Sequence, residues 1–316
     1  MPPLLYLPTK PNGSRRAPWH DYRTRCMYMI TLPKGSQTPP FCSLLQASDG
    51  DIRTPLSTTG ELLRAAIKSL PYLHPALHPG LSVIMPDHMH LLLFVQQEIP
   101  KHLGEYIGSL KGNCSRQWWE ANPSMQGVPF FDEGWHDRII MEKGQMETLC
   151  RYLKDNPRRL WLKQHNPELF TTVSELEICQ NRWHAMGNLF LLDDPEILSA
   201  RISSKFSAEE LRQKEERWIR AVHNGGVLAG AFISEREKRV KQYVLEHDGC
   251  LILLMDRPFP PRFKPAGQWF DRCVQGRLLI VAPAEPFPQQ WSKRARFLTL
   301  NDAGDALEWG RWRKVK

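Results

Sequence analysis

At 316 residues and 36.7 kDa the chain exceeds a typical single domain, so two are expected, and 41% hydrophobic residues supply a core for each. A net charge of +8 and a pI near 9.2 favour an anionic partner, yet the excess is spread evenly, +4 in residues 1–170 and +4 in 171–316, which excludes a basic tail as the binding device. No stretch approaches 18 uncharged apolar residues and Met1 to Pro8 is too short and Pro-rich for a leader, so no membrane contact and a cytoplasmic location are expected.

In chain order, residues 1–22 are rich in Pro, Gly and Arg and read as an irregular arm. Arg25 to Thr31 reads as a first strand, Phe41 to Gln46 as a short second one after Pro39-Pro40, and residues 60–72 as an amphipathic helix. The run Ser82 to Val95 is apolar and β-branched, as in a buried strand or hairpin. Within it stand His88 and His90. Side chains alternate along a strand, so these two imidazoles share a face and Met89 takes the other. Two imidazoles side by side on a rigid strand are half of a divalent-metal site; the plainer alternative is a pair of core histidines with satisfied hydrogen bonds.

A helix is expected from about Ile99 to Glu120. It carries Lys111 and Arg116 near Trp118 and Trp119. These form either a stacking platform for bases with cations for phosphates, or an amphipathic helix whose tryptophans pack inward. A strand follows around Arg138 to Met141, then a helix over Glu147 to Lys163, where Leu149, Tyr152, Leu153, Leu160 and Trp161 recur at helical spacing. Tyr152 and Asn156, four apart, share a helical face. Pro157 biases Asn156 away from the α region, so the helix is expected to kink or end there. Lys154, Arg158 and Arg159 around this motif are further candidates for DNA phosphate contacts.

Three pieces occur in one order: Met85-Pro86-Asp87-His88-Met89-His90-Leu91, then Trp135-His136-Asp137-Arg138-Ile139-Ile140, then Tyr152-Leu153-Lys154-Asp155-Asn156-Pro157. Together they resemble the single-tyrosine HUH transposases, and among them the REP-associated tyrosine transposases, over about residues 23–163. Asp87 stands where Asn is more usual. The resemblance implies an α+β ferredoxin-like HUH nuclease domain over 23–170. It also implies that His88, His90 and Asn156 bind a catalytic Mg²⁺ or Mn²⁺ and that Tyr152 is the nucleophile. Single-stranded or hairpin DNA would be nicked to leave a 5′-phosphotyrosine and a free 3′-OH, and a homodimer is expected on the same ground.

The residue types suit that chemistry. A cation held by two neutral imidazoles and an amide oxygen polarises a phosphodiester and keeps open positions for its oxygens. A phenol titrates near pH 10 and needs help as a nucleophile, from the metal or from Lys154. The bond energy stays in the covalent link, which separates strand transfer from hydrolysis. Two alternatives remain: a domesticated DNA-binding protein without turnover, and a hydrolytic nuclease in which Tyr152 only packs.

Residues 171–316 alternate strand and helix patterns: strands over Ala185–Leu192, Gly225–Ile233, Cys250–Met255 and Arg277–Ala282, with helices over Phe206–Val222, Ser234–His247 and Gln268–Val274. This order predicts a smaller α/β domain with a parallel sheet, faintly similar to Rossmann-like domains of the DNA-processing and lysine-decarboxylase-like type. Gly225, Gly226 and Gly230 do not form a dinucleotide-binding fingerprint, which favours a structural or DNA-docking role over a nucleotide site. The seven cysteines include no C-x-x-C pair, so no structural zinc site is expected.

Overall fold

The computed structural model describes residues 16–141, 144–203 and 205–314. Most of the expected N-terminal arm, residues 1–15, lies outside the described residues, as do Val315 and Lys316 at the basic, aromatic C-terminus. The protein is mixed α/β, and the chain divides into two compact units, Met1–Trp161 and Leu162–Lys316.

The first unit opens with β1 (Cys26–Pro33), followed by a two-residue hairpin of β2 (Leu45–Gln46) and β3 (Ile52–Arg53). Helix α1 (Thr58–Leu73) starts at Ser57, whose hydroxyl accepts from the Gly60 amide. Gly60 is required there, because a Cβ would stand 1.9 Å from the Phe41 carbonyl oxygen. Next come β4 (Leu77–Ile84), β5 (His88–Val95), α2 (Leu103–Ala121), β6 (His136–Ile140) and α3 (Gln145–His165). The sheet order is β4-β5-β1-β6, every neighbour antiparallel.

Period-two alternation gives this sheet two different faces. Tyr28, Ile30 and Leu32 of β1 and Met89, Leu91, Leu93 and Val95 of β5 are buried against Leu63, Ile67 and Leu70 of α1 and Ile107, Leu110 and Trp118 of α2. The alternate residues, among them Thr31, His88 and His90, lie on the other face.

Helix α3 does not end at Asn156. Pro157 sits inside it and the helix continues to His165. An interior proline costs about 3 kcal/mol of helix propensity, which burial on both sides outweighs: Leu149 and Leu153 are buried before it, and Leu162 packs into a core after it.

The second unit has strands β7 (Val173–Ile178), β8 (Asn181–Gly187) and β9 (Ile197–Ser199), then α4 (Ala208–Asn224), β10 (Val227–Gly230), α5 (Glu235–Glu246) and β11 (Cys250–Leu254). It closes with α6 (Gln268–Val274), β12 (Leu278–Pro283), α7 (Lys293–Glu308) and β13 (Trp312–Lys314). The sheet order is β13-β7-β8-β12-β11-β10-β9. The expected parallel sheet is therefore half of a mixed one: β9 to β12 are parallel, while β8, β7 and β13 run antiparallel beside them. Helices α4, α5 and α6 cover one face, and α7, which the sequence patterns did not reveal, covers the other.

The strand expected over Ala185–Leu192 stops at Gly187, with φ of 113° and no room for a Cβ beside the Leu278 carbonyl. Asn188 then turns the chain by donating to the Cys273 and Leu278 carbonyls, and Leu189–Asp193 forms a 3₁₀ turn. Trp312–Lys314 add an edge strand, where Arg313 Nη2 donates to both carboxylate oxygens of Glu177.

One buried carboxylate ties this unit together. Glu237, in the first turn of α5, accepts from the backbone amides of Ile202 at 3.1 Å and of Ile233 and Ser234 at 2.8 Å. Replacing it by alanine leaves three amides without that acceptor. Glu237→Ala should destabilise the protein by about 3 kcal/mol or more, measured by urea denaturation. A loss no greater than that of an exposed Glu→Ala control would refute this role.

Candidate metal and nucleophile site

The site begins at the β4–β5 turn, Met85 to Asp87. Backbone bonds fix this turn: the Met85 amide donates to the His88 carbonyl at 2.8 Å, the Phe41 amide to Pro86 at 3.0 Å, and the Lys34 amide to Asp87 at 2.9 Å. His88 therefore leaves a rigid corner, and His90 follows on the same side of β5. The Nε2 atoms of the two rings stand 3.1 Å apart.

Each ring is held from behind. His88 Nδ1 lies 2.7 Å from the Asp87 carboxylate, which can only accept, so that nitrogen carries a proton and Nε2 presents its lone pair. His90 Nδ1 lies 2.8 Å from the Thr31 hydroxyl, a partner that accepts equally well. When it does, both Nε2 lone pairs converge on one point, the outer-sphere arrangement that orients metal-binding histidines. Burial, together with the neighbouring His88, pulls the His90 pKa down to about 4, so this imidazole is neutral through the physiological range.

Two imidazole nitrogens are borderline donors that accept several divalent cations, Mn²⁺ more readily than Mg²⁺. Nitrogens about 2.1 Å from one ion stand about 3.0 Å apart at an octahedral right angle and about 3.4 Å apart at a tetrahedral one. The observed 3.1 Å falls in this range, so both nitrogens can reach one ion; it is also hydrogen-bond distance, one Nε2 donating to the other when no ion lies between them. Among the described residues no group of three or more His, Cys, Asp or Glu side chains is arranged to hold a metal. A cation here would take its remaining ligands from an amide, water or substrate oxygens.

Tyr152 stands on α3 with 46% of its surface exposed, and Asn156 is half-buried one turn further on. At 100° per residue the two lie on one flank of the Leu149–Leu153 seam, together with Arg159. Among the described residues no hydrogen bond joins Tyr152 or Asn156 to the histidine pair. Lys154, expected to aid Tyr152, is two residues away and so on the far side of the helix.

The other basic candidates scatter. Lys111 donates to the Asp132 and Gly134 carbonyls at 2.7 and 2.9 Å, pinning α2 to the loop before β6, and burial lowers its pKa. Arg116 is exposed on α2. The tryptophans beside it pack inward: Trp118 is buried against Phe130, and the Trp119 indole donates to the Val128 carbonyl. Arg158 and Arg159 both bond Asp155, at 2.7 and 3.8 Å.

Sequence reasoning passed over Thr31 because its link to His90 exists only through strand pairing. It also passed over the support of His88 by Asp87, for which adjacency in the chain was the available signal.

No family model matches this chain, and no curated protein matches it. Two solved structures are similar to parts of it. One is a REP-associated tyrosine transposase bound to a REP hairpin, 14% identical, covering 46% of this chain and 74% of that one, with a TM-score of 0.33. The other, from Deinococcus radiodurans R1, was assigned as a candidate transposase; it is 14% identical and covers 44% of this chain and 97% of that one, with a TM-score of 0.29. The functional reading therefore rests on the site's own residues.

Removing the supports should weaken the pair without unfolding the sheet. Thr31→Val and Asp87→Ala should each lower Mn²⁺ affinity by about 10- to 100-fold, read by electron paramagnetic resonance titration, with thermal stability little changed. Unchanged affinity in both variants would refute the supporting roles of Thr31 and Asp87, and unchanged affinity in His88→Ala would remove the metal assignment of the pair.

Proposed function

We propose that this protein is a metal-dependent DNA strand-transfer enzyme of the single-tyrosine HUH type, a transposase acting on single-stranded or hairpin DNA. One observation carries the reading: the His88 and His90 Nε2 atoms stand 3.1 Å apart, with both Nδ1 atoms bonded from behind. The β-α-β-β-α-β order of the first unit, with sheet order β4-β5-β1-β6, agrees with a ferredoxin-like HUH domain.

In this reading His88, His90 and the Asn156 amide oxygen hold Mg²⁺ or Mn²⁺, which when bound neutralises charge on the scissile phosphate. Tyr152 Oη attacks the phosphorus. The bond to the 3′ oxygen breaks, that oxygen takes up a proton, and the phenol proton goes to solvent. A 5′-phosphotyrosine remains, from which a second 3′-OH recovers the strand without ATP. His88 and His90 keep their lone pairs on one point while Asp87 and Thr31 prevent the rings from turning.

Arg116, Lys154 and Arg158 keep cations at the surface and are the phosphate contacts of this reading; Arg159 flanks Tyr152. The second unit supplies DNA or partner contacts. A homodimer at work on the bacterial nucleoid within the cytoplasm completes the proposal. No helix among the described residues is long and apolar enough to cross a membrane.

A denaturing gel with hairpin oligonucleotides from the flanks of the gene and Mn²⁺ tests the mechanism. Wild type should give a protein–DNA adduct that is lost below detection in Tyr152→Phe and His88→Ala. Cleavage that persists in Tyr152→Phe without adduct would make the protein a hydrolytic nuclease. Retained hairpin binding without cleavage would make it a binding protein.

A further inference from the structure

The segment Trp135-His136-Asp137-Arg138 is split by the sheet into two halves with different work. Trp135 and Asp137 point inward. Arg16 lies 3.5 Å over the Trp135 ring and bonds the Asp137 carboxylate at 2.9 Å, while the Tyr22 hydroxyl donates to its other oxygen at 2.7 Å. This clamp, with the Asp137 side chain only 5% exposed, docks the residues before β1 against β6.

His136 and Arg138 point the other way, and strand register says where. Thr31 of β1 pairs with His90 of β5 on one side and with His136 of β6 on the other. Directly paired residues share a face. His90, Thr31 and His136 therefore form one row across three strands, and Leu92, Met29 and Arg138 form the next. Both His136 and Arg138 are exposed, and no ion pair engages Arg138 among the described residues.

We infer that Arg138, with His136, is a phosphate-binding subsite for the DNA strand on the sheet face that carries His88 and His90. The inference rests on the strand-transfer reading for its ligand. Two strand spacings, about 10 Å, separate His136 from His90, with Thr31 between them. Successive phosphates of a strand lie closer together than that, so the row takes in neighbours of the scissile phosphate. A guanidinium forks onto phosphate oxygens, and the Asp137 clamp holds the strand on which it rides.

The test uses the full chain and a 20-nucleotide oligo(dT) labelled for fluorescence anisotropy, over a range of salt, with Mn²⁺. Arg138→Ala should weaken binding about tenfold and lower the salt slope by about 0.7, the share of one single-strand phosphate contact. Arg138→Lys should restore the slope but not the full affinity. Arg64→Ala removes the same charge from α1, beneath the opposite face, and should change neither. Mn²⁺ affinity without DNA should be that of wild type in every variant.

Equal binding by wild type and Arg138→Ala, an equal effect of Arg64→Ala, or no binding by wild type would each overturn the inference. A lowered slope in Arg138→Ala beside a wild type that forms no adduct would leave this subsite standing and discard the Tyr152 mechanism. An adduct with an unchanged slope would do the reverse.

Discussion

The alternation of side chains along β1 is the constraint on which the first unit depends. β1 is hydrogen-bonded on both edges, to β5 and to β6. Its even residues, Tyr28, Ile30 and Leu32, close the apolar core over α1 and α2. Its odd residue Thr31 supports a histidine on one neighbour and stands in register with a histidine on the other. A slip of one residue by β1 would turn Thr31 into the core and one by β5 would turn His90 there, so the packing energy of the hydrophobic face fixes the geometry of the polar face.

The second unit is organised by a different rule. Its four parallel strands are buried on both sides: Leu228, Leu251 and Leu278 face α4 to α6, while Val227, Ile252 and Leu279 face α7. Such strands cannot show polar alternation, and the page of the sheet has no free face for a site. Polar work is moved to the loops at the strand ends, as in the Glu237 bonds to Ile202, Ile233 and Ser234.

Much of this was legible in the sequence, and the misses have physical causes. The His88–His90 strand and the helices near 60–72, 99–120 and 147–163 were readable because their apolar residues keep a clean period. β9 and β13 have three residues each, too few for a period. α7 turns small residues, Ala303, Gly304 and Ala306, to the sheet, which gives a weak apolar stripe. β7 and β8 pair antiparallel beside a parallel set, a register that no local pattern encodes. At the site the two histidines were legible, while the support that Asp87 gives His88 was passed over although the two are adjacent in the chain. Thr31 and His136 belong to other strands and become neighbours only when the sheet forms. The helical spacing of Tyr152 and Asn156 held through Pro157 because buried leucines on either side kept the helix continuous.

Strand β6 closes one edge of the first sheet. Among the described residues no strand pairs with its outer side, and β6 ends on Ile139 and Ile140, with the exposed Met141 just beyond. A charged side chain in mid-strand is how sheets discourage such pairing. Arg138, for which we propose a phosphate contact, thus has a second consequence: without its charge this edge would become an apolar surface prone to stacking against copies of itself.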